Sequence, residues 1–338
     1  MSIETLIHVG FAHSGTTSLQ ENFFARRPDI FYCTSVGDFG GIFSYIKYEE
    51  DAARADRALE HFCKKHIWAK IGPRQRLVLS DETFVEQPEI YYTPQKMPTS
   101  LIAQRLRRLF PNARILFTTR NQFDYVASCY FNLKRNYAHL STRSIEDFNT
   151  WFAGNNTQIA NLYLRNLDYS RAVIAFERIF GPAAVTVLPL ESLELEGAPS
   201  YLRKVAEQLN IEITDEDLEN FRPIRNRRIS ALEDALLAQW HDPVYRNLYD
   251  ALAIAIGPTR LQDFLDAAEP ARIVLSEQQN ELIRHRCADG NLYLQRQFGL
   301  DLPSLGYPMP DTELRLIHSP RLSTGQLAAP SFRRAAAS

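Results

Sequence analysis

Three groups of residues have the types and spacings to act on a molecule that carries two anionic groups. The first is Gly10-Phe11-Ala12-His13-Ser14-Gly15-Thr16-Thr17, with two glycines five apart. It follows an apolar run, Leu6-Ile7-His8-Val9, and leads into a segment with Leu19, Phe23 and Phe24 on one side. Strand, glycine-bearing loop and helix in that order make an anion cradle, in which loop N–H groups and the positive end of the helix face the ligand. Thr16 and Thr17 add hydroxyl donors in the first helical turn. The second group is Asp81-Glu82, directly after Leu77-Val78-Leu79. A carboxylate there can take the proton of an attacking hydroxyl. The third is Arg120, at the end of Ala113-Arg-Ile-Leu-Phe-Thr-Thr, with Ser128 eight residues on and one helical turn past Asp124. A fixed cation and a helix-borne hydroxyl make a second anion site.

These residues work together only if the strands that carry them lie side by side. In open α/β sheets ligands sit outside the carboxyl ends of the strands. Residues 6–9, 77–79, 113–119 and 184–190 read as short buried strands. Helices are expected from Thr16, over 51–66, 99–110, 125–136, from a capping box at 144–147 through 152, over 161–180 and over 201–209. Residues 231–297 are mostly helical by pattern. Residues 37–41 read as a loop and 299–310 as an extended ending. The expected fold is an α/β three-layer sandwich with a central parallel sheet, P-loop-NTPase-like, with additional C-terminal helices. Residues 1–310 form one domain in this reading, and 311–338 are a loosely held tail.

Composition narrows the function. The 338 residues carry a net charge of −2, with 45% apolar and 23% charged residues, so no basic field favours nucleic acid. No apolar run approaches the ~20 residues of a membrane span. The chain enters a strand at once, without the pattern of a secretory signal. Cys33, Cys63, Cys129 and Cys287 are far apart and fit reduced thiols in the cytoplasm. Cys63 and His66 have no second ligand pair nearby, and no metal is expected. Glu191, after the fourth strand, reads as structural. The basic cluster at 222–228 reads as a solvated positive loop.

A lysine follows the second glycine in a Walker A loop, but here the residue is Thr16, and no lysine occurs before Lys47. The loop suits one tetrahedral anion better than a triphosphate. It resembles the 5′-phosphosulfate loop of sulfotransferases that use 3′-phosphoadenosine 5′-phosphosulfate (PAPS), where a basic residue precedes Ser-Gly-Thr-Thr. His13 takes that place. The family's 3′-phosphate element, Arg-x-Pro-x-Asp followed by Ser and Tyr, is matched by Arg120, Asp124, Ser128 and Tyr130, with Gln122 in place of proline. That replacement bears on the rigidity of the segment.

The resemblance runs over residues 5–210. It implies PAPS as co-substrate, its 5′-phosphosulfate held by Gly10, His13, Ser14, Gly15, Thr16 and Thr17 and its 3′-phosphate by Arg120 and Ser128. Glu82 is implied as general base, with Asp81 the alternative, and a protonated His13 as stabiliser of the departing oxygen. The acceptor is a hydroxyl, of a glycan or another small molecule, framed by residues 35–70 and 136–156. Two other readings stay open. One is a P-loop kinase or ATPase, with Leu77-Val-Leu-Ser-Asp81-Glu82 as a Walker B strand; the other is a non-catalytic nucleotide-binding protein of the same fold.

Overall fold

Five short strands, each rich in Leu, Ile, Val, Phe and Thr, pair side by side in a computed structural model of the chain. The structure describes residues 3–35, 39–73, 75–85, 97–140, 147–153, 167–221 and 229–311. In chain order the strands are β1 (Thr5–Gly10), β2 (Ile30–Thr34), β3 (Arg76–Ser80), β4 (Arg114–Thr119) and β5 (Val185–Pro189). The sheet order is β2-β3-β1-β4-β5, and every pairing is parallel. All six residues of central β1 are buried, as expected of a strand covered on both faces.

Side-chain alternation divides the core. Ile7, Val9, Leu77, Leu79, Ile115 and Phe117 face one way. There they meet α2 (Gly40–Tyr48), α3 (Ala52–Phe62), α4 (Thr99–Leu109) and α7 (Ser170–Phe180). Leu6, Val78, Leu116 and Leu188 face the other way, against α1 (Thr16–Asn22) and α9 (Ala198–Glu207). Between β5 and α9 runs the short α8 (Glu191–Glu196), and α10 (Asp215–Asn220) follows α9. The expected three-layer arrangement is therefore present.

A separate apolar cluster lies around α5 (Gln122–Leu140) and α6 (Phe148–Ala153). It gathers Tyr125, Cys129 and Trp151 with Leu237 and Trp240 from and just beyond α11 (Ala231–Ala238), and with Ile283 and Cys287 of α14 (Glu277–Phe298). The helices α12 (Pro243–Ile256) and α13 (Pro258–Asp266) lie between α11 and α14 in the chain.

Several boundaries differ from expectation. Strand β2 was not anticipated: it is an edge strand paired only to β3, and Phe31 and Tyr32 are partly exposed, so it lacks a continuous apolar signature. Helix α2 starts inside the stretch read as a loop, because Gly40 and Gly41 hide the apolar face of Ile42, Phe43 and Ile46. Helix α3 stops at Phe62, and a π-type turn, Cys63–Trp68, carries the chain on. Helix α5 starts three residues earlier than expected, because Asn121 caps it. Residues 37–38, 144–146, 161–166 and 222–228, and the tail from 312, lie outside the described residues.

Register brings the three chemical groups together. His8 pairs with Ser80, and Gly10 with Thr118. The loop after β1 therefore lies between the end of β3, with Asp81 and Glu82, and the end of β4, with Arg120.

Candidate active site at the carboxyl ends of β1, β3 and β4

The loop after β1 is bent by residues in the left-handed region. Gly15, the N-cap of α1, has φ of 80°, and His13 has φ of 62°. A Cβ on Gly10 would lie 1.8 Å from Thr16 Cγ2 and 2.9 Å from Thr118 Oγ1. Only a glycine lets the end of β1 approach the head of α1 this closely. Among the described residues, the backbone N–H groups of Ala12, His13, Gly15, Thr16 and Thr17 have no protein acceptor. Orphaned N–H groups at a helix head, beside left-handed turns, suit a bound oxyanion. Ser14 is used differently. Its N–H and hydroxyl both donate to the carbonyl of Phe11, at 3.2 and 2.5 Å, and its Oγ shares a 2.9 Å hydrogen bond with Thr118. Ser14 therefore shapes the loop from within.

Beneath the loop runs a chain of buried polar groups. The His8 ring is hydrogen bonded with Ser80 Oγ at 2.8 Å through Nδ1 and with Thr118 Oγ1 at 3.2 Å through Nε2. Gln20 Nε2 donates to the same Ser80 oxygen at 2.9 Å. Burial holds the His8 imidazolium down to about 3, so the ring is neutral.

Glu82 opens a 3-10 turn after β3, and the Thr16 hydroxyl donates to its Oε1. Burial pushes the Glu82 carboxyl up to about 7, with the neighbouring Asp81 charge acting the same way. Asp81 is tied down. Its Oδ1 accepts from the Thr83 N–H at 2.8 Å and the Thr83 hydroxyl at 2.6 Å, and its Oδ2 lies 3.1 Å from Lys47 Nζ. Lys47 and Asp81 are only 6% and 4% exposed, so this is a buried ion pair. A carboxylate engaged in this way is a poor open ligand for the magnesium of a kinase or ATPase. Lys47 escaped the sequence reading, although a lysine on the apolar face of Phe43 and Ile46 was a usable signal.

On the other side, Arg120 Nη1 donates to the carbonyl of His13 at 3.2 Å, joining the two anion elements directly. Burial and the adjacent Arg120 charge hold the His13 ring down to about 4. Asn121 and Asp124 cap α5 reciprocally at 3.0 Å. Ser128 lies half-buried on α5, past Asp124. Gln122, in place of the family's proline, is fully buried and exchanges amide hydrogen bonds with Asn291 of α14 at 2.9 and 3.0 Å. Its Nε2 also donates to the Leu167 carbonyl at 3.1 Å. Glu191, read as structural, is joined to the third group: its Oε1 accepts from the Asn121 N–H at 2.8 Å, beside Arg120. Nothing in the local sequence announced that contact, because 70 residues separate the partners. Among the described residues, no three His, Cys, Asp or Glu side chains gather as a metal site.

The model of the sulfotransferase family matches residues 6–216 of the chain. No curated protein matches it in sequence. Among solved structures, a sulfotransferase from Alicyclobacillus acidocaldarius superposes with a TM-score of 0.52 at 14% identity, over 90% of this chain and 100% of that one. The sulfotransferase STF9 from Mycobacterium avium is similar over 80% of this chain and 79% of that one, at 14% identity and a TM-score of 0.38. Mouse sulfotransferase SULT7A1, solved in complex with PAP, is similar over 64% and 61%, at 15% identity and a TM-score of 0.36.

Proposed function

Because the chain belongs to the sulfotransferase family, we propose that it moves a sulfuryl group from PAPS to an acceptor hydroxyl, with Glu82 as the general base. The observation that carries this reading is the Glu82 carboxylate, hydrogen bonded to Thr16 at the head of the loop helix and pushed up to about 7. A base with that affinity is well matched to neutral pH. PAPS supplies the sulfuryl group, and the bond that breaks joins its sulfur to the bridging oxygen of the 5′-phosphate. The loop N–H groups of Ala12, His13, Gly15, Thr16 and Thr17 hold the phosphosulfate, and Gly10 gives them their close approach. Glu82 takes the proton of the acceptor hydroxyl as that oxygen bonds to sulfur. His13 donates a ring N–H to the departing oxygen. Arg120 and Ser128 hold the 3′-phosphate. Asp81 is the weaker candidate for the base, since Thr83 and Lys47 already engage both of its oxygens.

The acceptor class the Glu-type base favours is a carbohydrate hydroxyl, on a glycan or a smaller molecule. The four thiols are buried and unpaired, in keeping with a reducing compartment such as the cytoplasm.

Glu82→Gln is expected to lower turnover about 10²-fold, with affinity for adenosine 3′,5′-bisphosphate within about twofold of the original. In the parent protein kcat/KM should fall as the pH drops below about 7, where Glu82 becomes protonated, and that limb should vanish in the variant. His13→Ala is expected to lower the rate about 10²-fold by loss of one donor to the departing oxygen. PAPS-dependent labelling of carbohydrate, phenolic and lipid acceptors measures both. Unchanged turnover in Glu82→Gln removes Glu82 as base, and a near-normal rate in His13→Ala makes that ring a spectator.

A further inference from the structure

The peptide group between Arg120 and Asn121 is gripped at both of its polar ends. The Tyr169 hydroxyl donates to the Arg120 carbonyl at 2.9 Å. Glu191 Oε1 accepts from the Asn121 N–H at 2.8 Å, and the same oxygen accepts from Asn121 Nδ2 at 3.1 Å. The two gripping side chains come from different elements: Tyr169 precedes α7, and Glu191 begins α8, with Leu190 alone between it and β5. Tyr169 is fully buried. Burial also pushes the Glu191 carboxyl up from the usual carboxylate range, so a group that disfavours burial is kept in the interior.

A peptide plane fixed on both sides fixes the ψ angle of Arg120 and so the direction in which its side chain leaves the backbone. That matters here because the guanidinium already reaches back to the His13 carbonyl at 3.2 Å. It also matters because the segment has Gln122 where a proline ring would stiffen it. Gln122 spends its amide on Leu167 and Asn291 and anchors the start of α5, one residue beyond the gripped peptide. A proline ring at 122 would fix φ there and restrict Asn121, whereas the two grips act one peptide earlier, on Arg120 itself.

We propose that Tyr169 and Glu191 are positioning residues for Arg120, holding the Arg120–Asn121 peptide so that the guanidinium is aimed at the 3′-phosphate of the nucleotide. This rests on the reading of Arg120 as the 3′-phosphate ligand. Neither side chain touches the nucleotide in this scheme, and each acts through the backbone.

The test is calorimetric titration of the full chain with adenosine 3′,5′-bisphosphate and with adenosine 5′-monophosphate, with Arg120→Ala as reference. Tyr169→Phe and Glu191→Ala are each expected to weaken bisphosphate binding about five- to tenfold and to leave monophosphate binding within about twofold. Glu191→Gln keeps an acceptor oxygen for the Asn121 N–H and should restore bisphosphate affinity to within about twofold. A role confined to stability would lower the melting temperature and affect both ligands alike, or neither, and either result overturns the proposal. Should Glu191→Ala not fold, Tyr169→Phe, which removes a single hydroxyl, decides alone. If Arg120→Ala weakens both ligands equally, the 3′-phosphate reading falls and takes the grip's purpose with it. If Arg120→Ala separates the two ligands and the other variants do not, only the grip falls.

Discussion

His8 shows how much a single residue can carry without touching a ligand. Its ring has no exposed surface and bridges the ends of β3 and β4 through Ser80 and Thr118. Its folded-state pKa lies near 3, against an ordinary value of 6.5. The stability it contributes is therefore whole above pH 6.5 and is lost as the pH falls toward 3, by about 1.4 kcal/mol for each pH unit. Glu82 works in the opposite sense: its contribution is present at low pH and is lost as the pH rises through about 7. Between pH 6.5 and pH 5 the His8 and Glu82 effects oppose each other in the parent, so the His8 part, about 2 kcal/mol, is read in denaturant titrations as the difference in pH dependence between the parent and His8→Asn. An equal slope in the variant would show that the ring is not protonated on unfolding. At this scale the sequence was legible where a residue follows an apolar strand, as with Glu82 after β3 and Arg120 after β4. It was not legible where a residue's state depends on distant neighbours. The neutral His13 and the Lys47–Asp81 pair both come from burial and charges brought in by other strands and helices.

Among the elements, the loop and its flanking strand and helix depend most on one atom being missing. Gly10→Ala forces the new methyl group to 1.8 Å from Thr16 Cγ2, so the head of α1 must move. Overpacking of this kind costs about 1–3 kcal/mol, and α1 carries the hydroxyl that meets Glu82. The variant is expected to lose about 3 kcal/mol in denaturant titration and more than tenfold in bisphosphate affinity. Retention of both would show that the close approach is not needed. Strands β1, β3, β4 and β5 were readable because they are buried on both faces and so nearly continuous in apolar residues. Strand β2 was not, because its partly exposed Phe31 and Tyr32 break the run. Helix α2 was hidden by its two leading glycines, and with it the side chain that pairs with Asp81.

For the molecule as a whole, the layered sheet was readable from the alternation of strand and helix patterns, while the contacts of the C-terminal helices were not. The family match ends at residue 216, yet α14 reaches back to the start of α5. Asn291 pairs with Gln122 and also donates to the Pro308 carbonyl at 2.9 Å, and the Tyr307 hydroxyl is hydrogen bonded with Thr119 at 2.9 Å. Ile283 and Cys287 of α14 complete the apolar cluster around Tyr125 and Trp151. A chain ended at residue 275 is expected to lose bisphosphate affinity and to show an earlier, broader thermal transition. One ended at residue 311 should melt within about 2 °C of the full chain. Equal behaviour of the two in thermal melts would show that α14 is dispensable. The Gln122–Asn291 pair joins residues 169 apart in the chain, which sets an order of events during synthesis. Translation delivers the glycine loop well before the partner of Gln122, which follows more than two hundred residues later. A nascent chain can stack its sheet, and Tyr169 and Glu191 can grip the peptide after Arg120, before Gln122 meets its partner in α14. The start of α5 is thus secured late, after the sheet from which it departs.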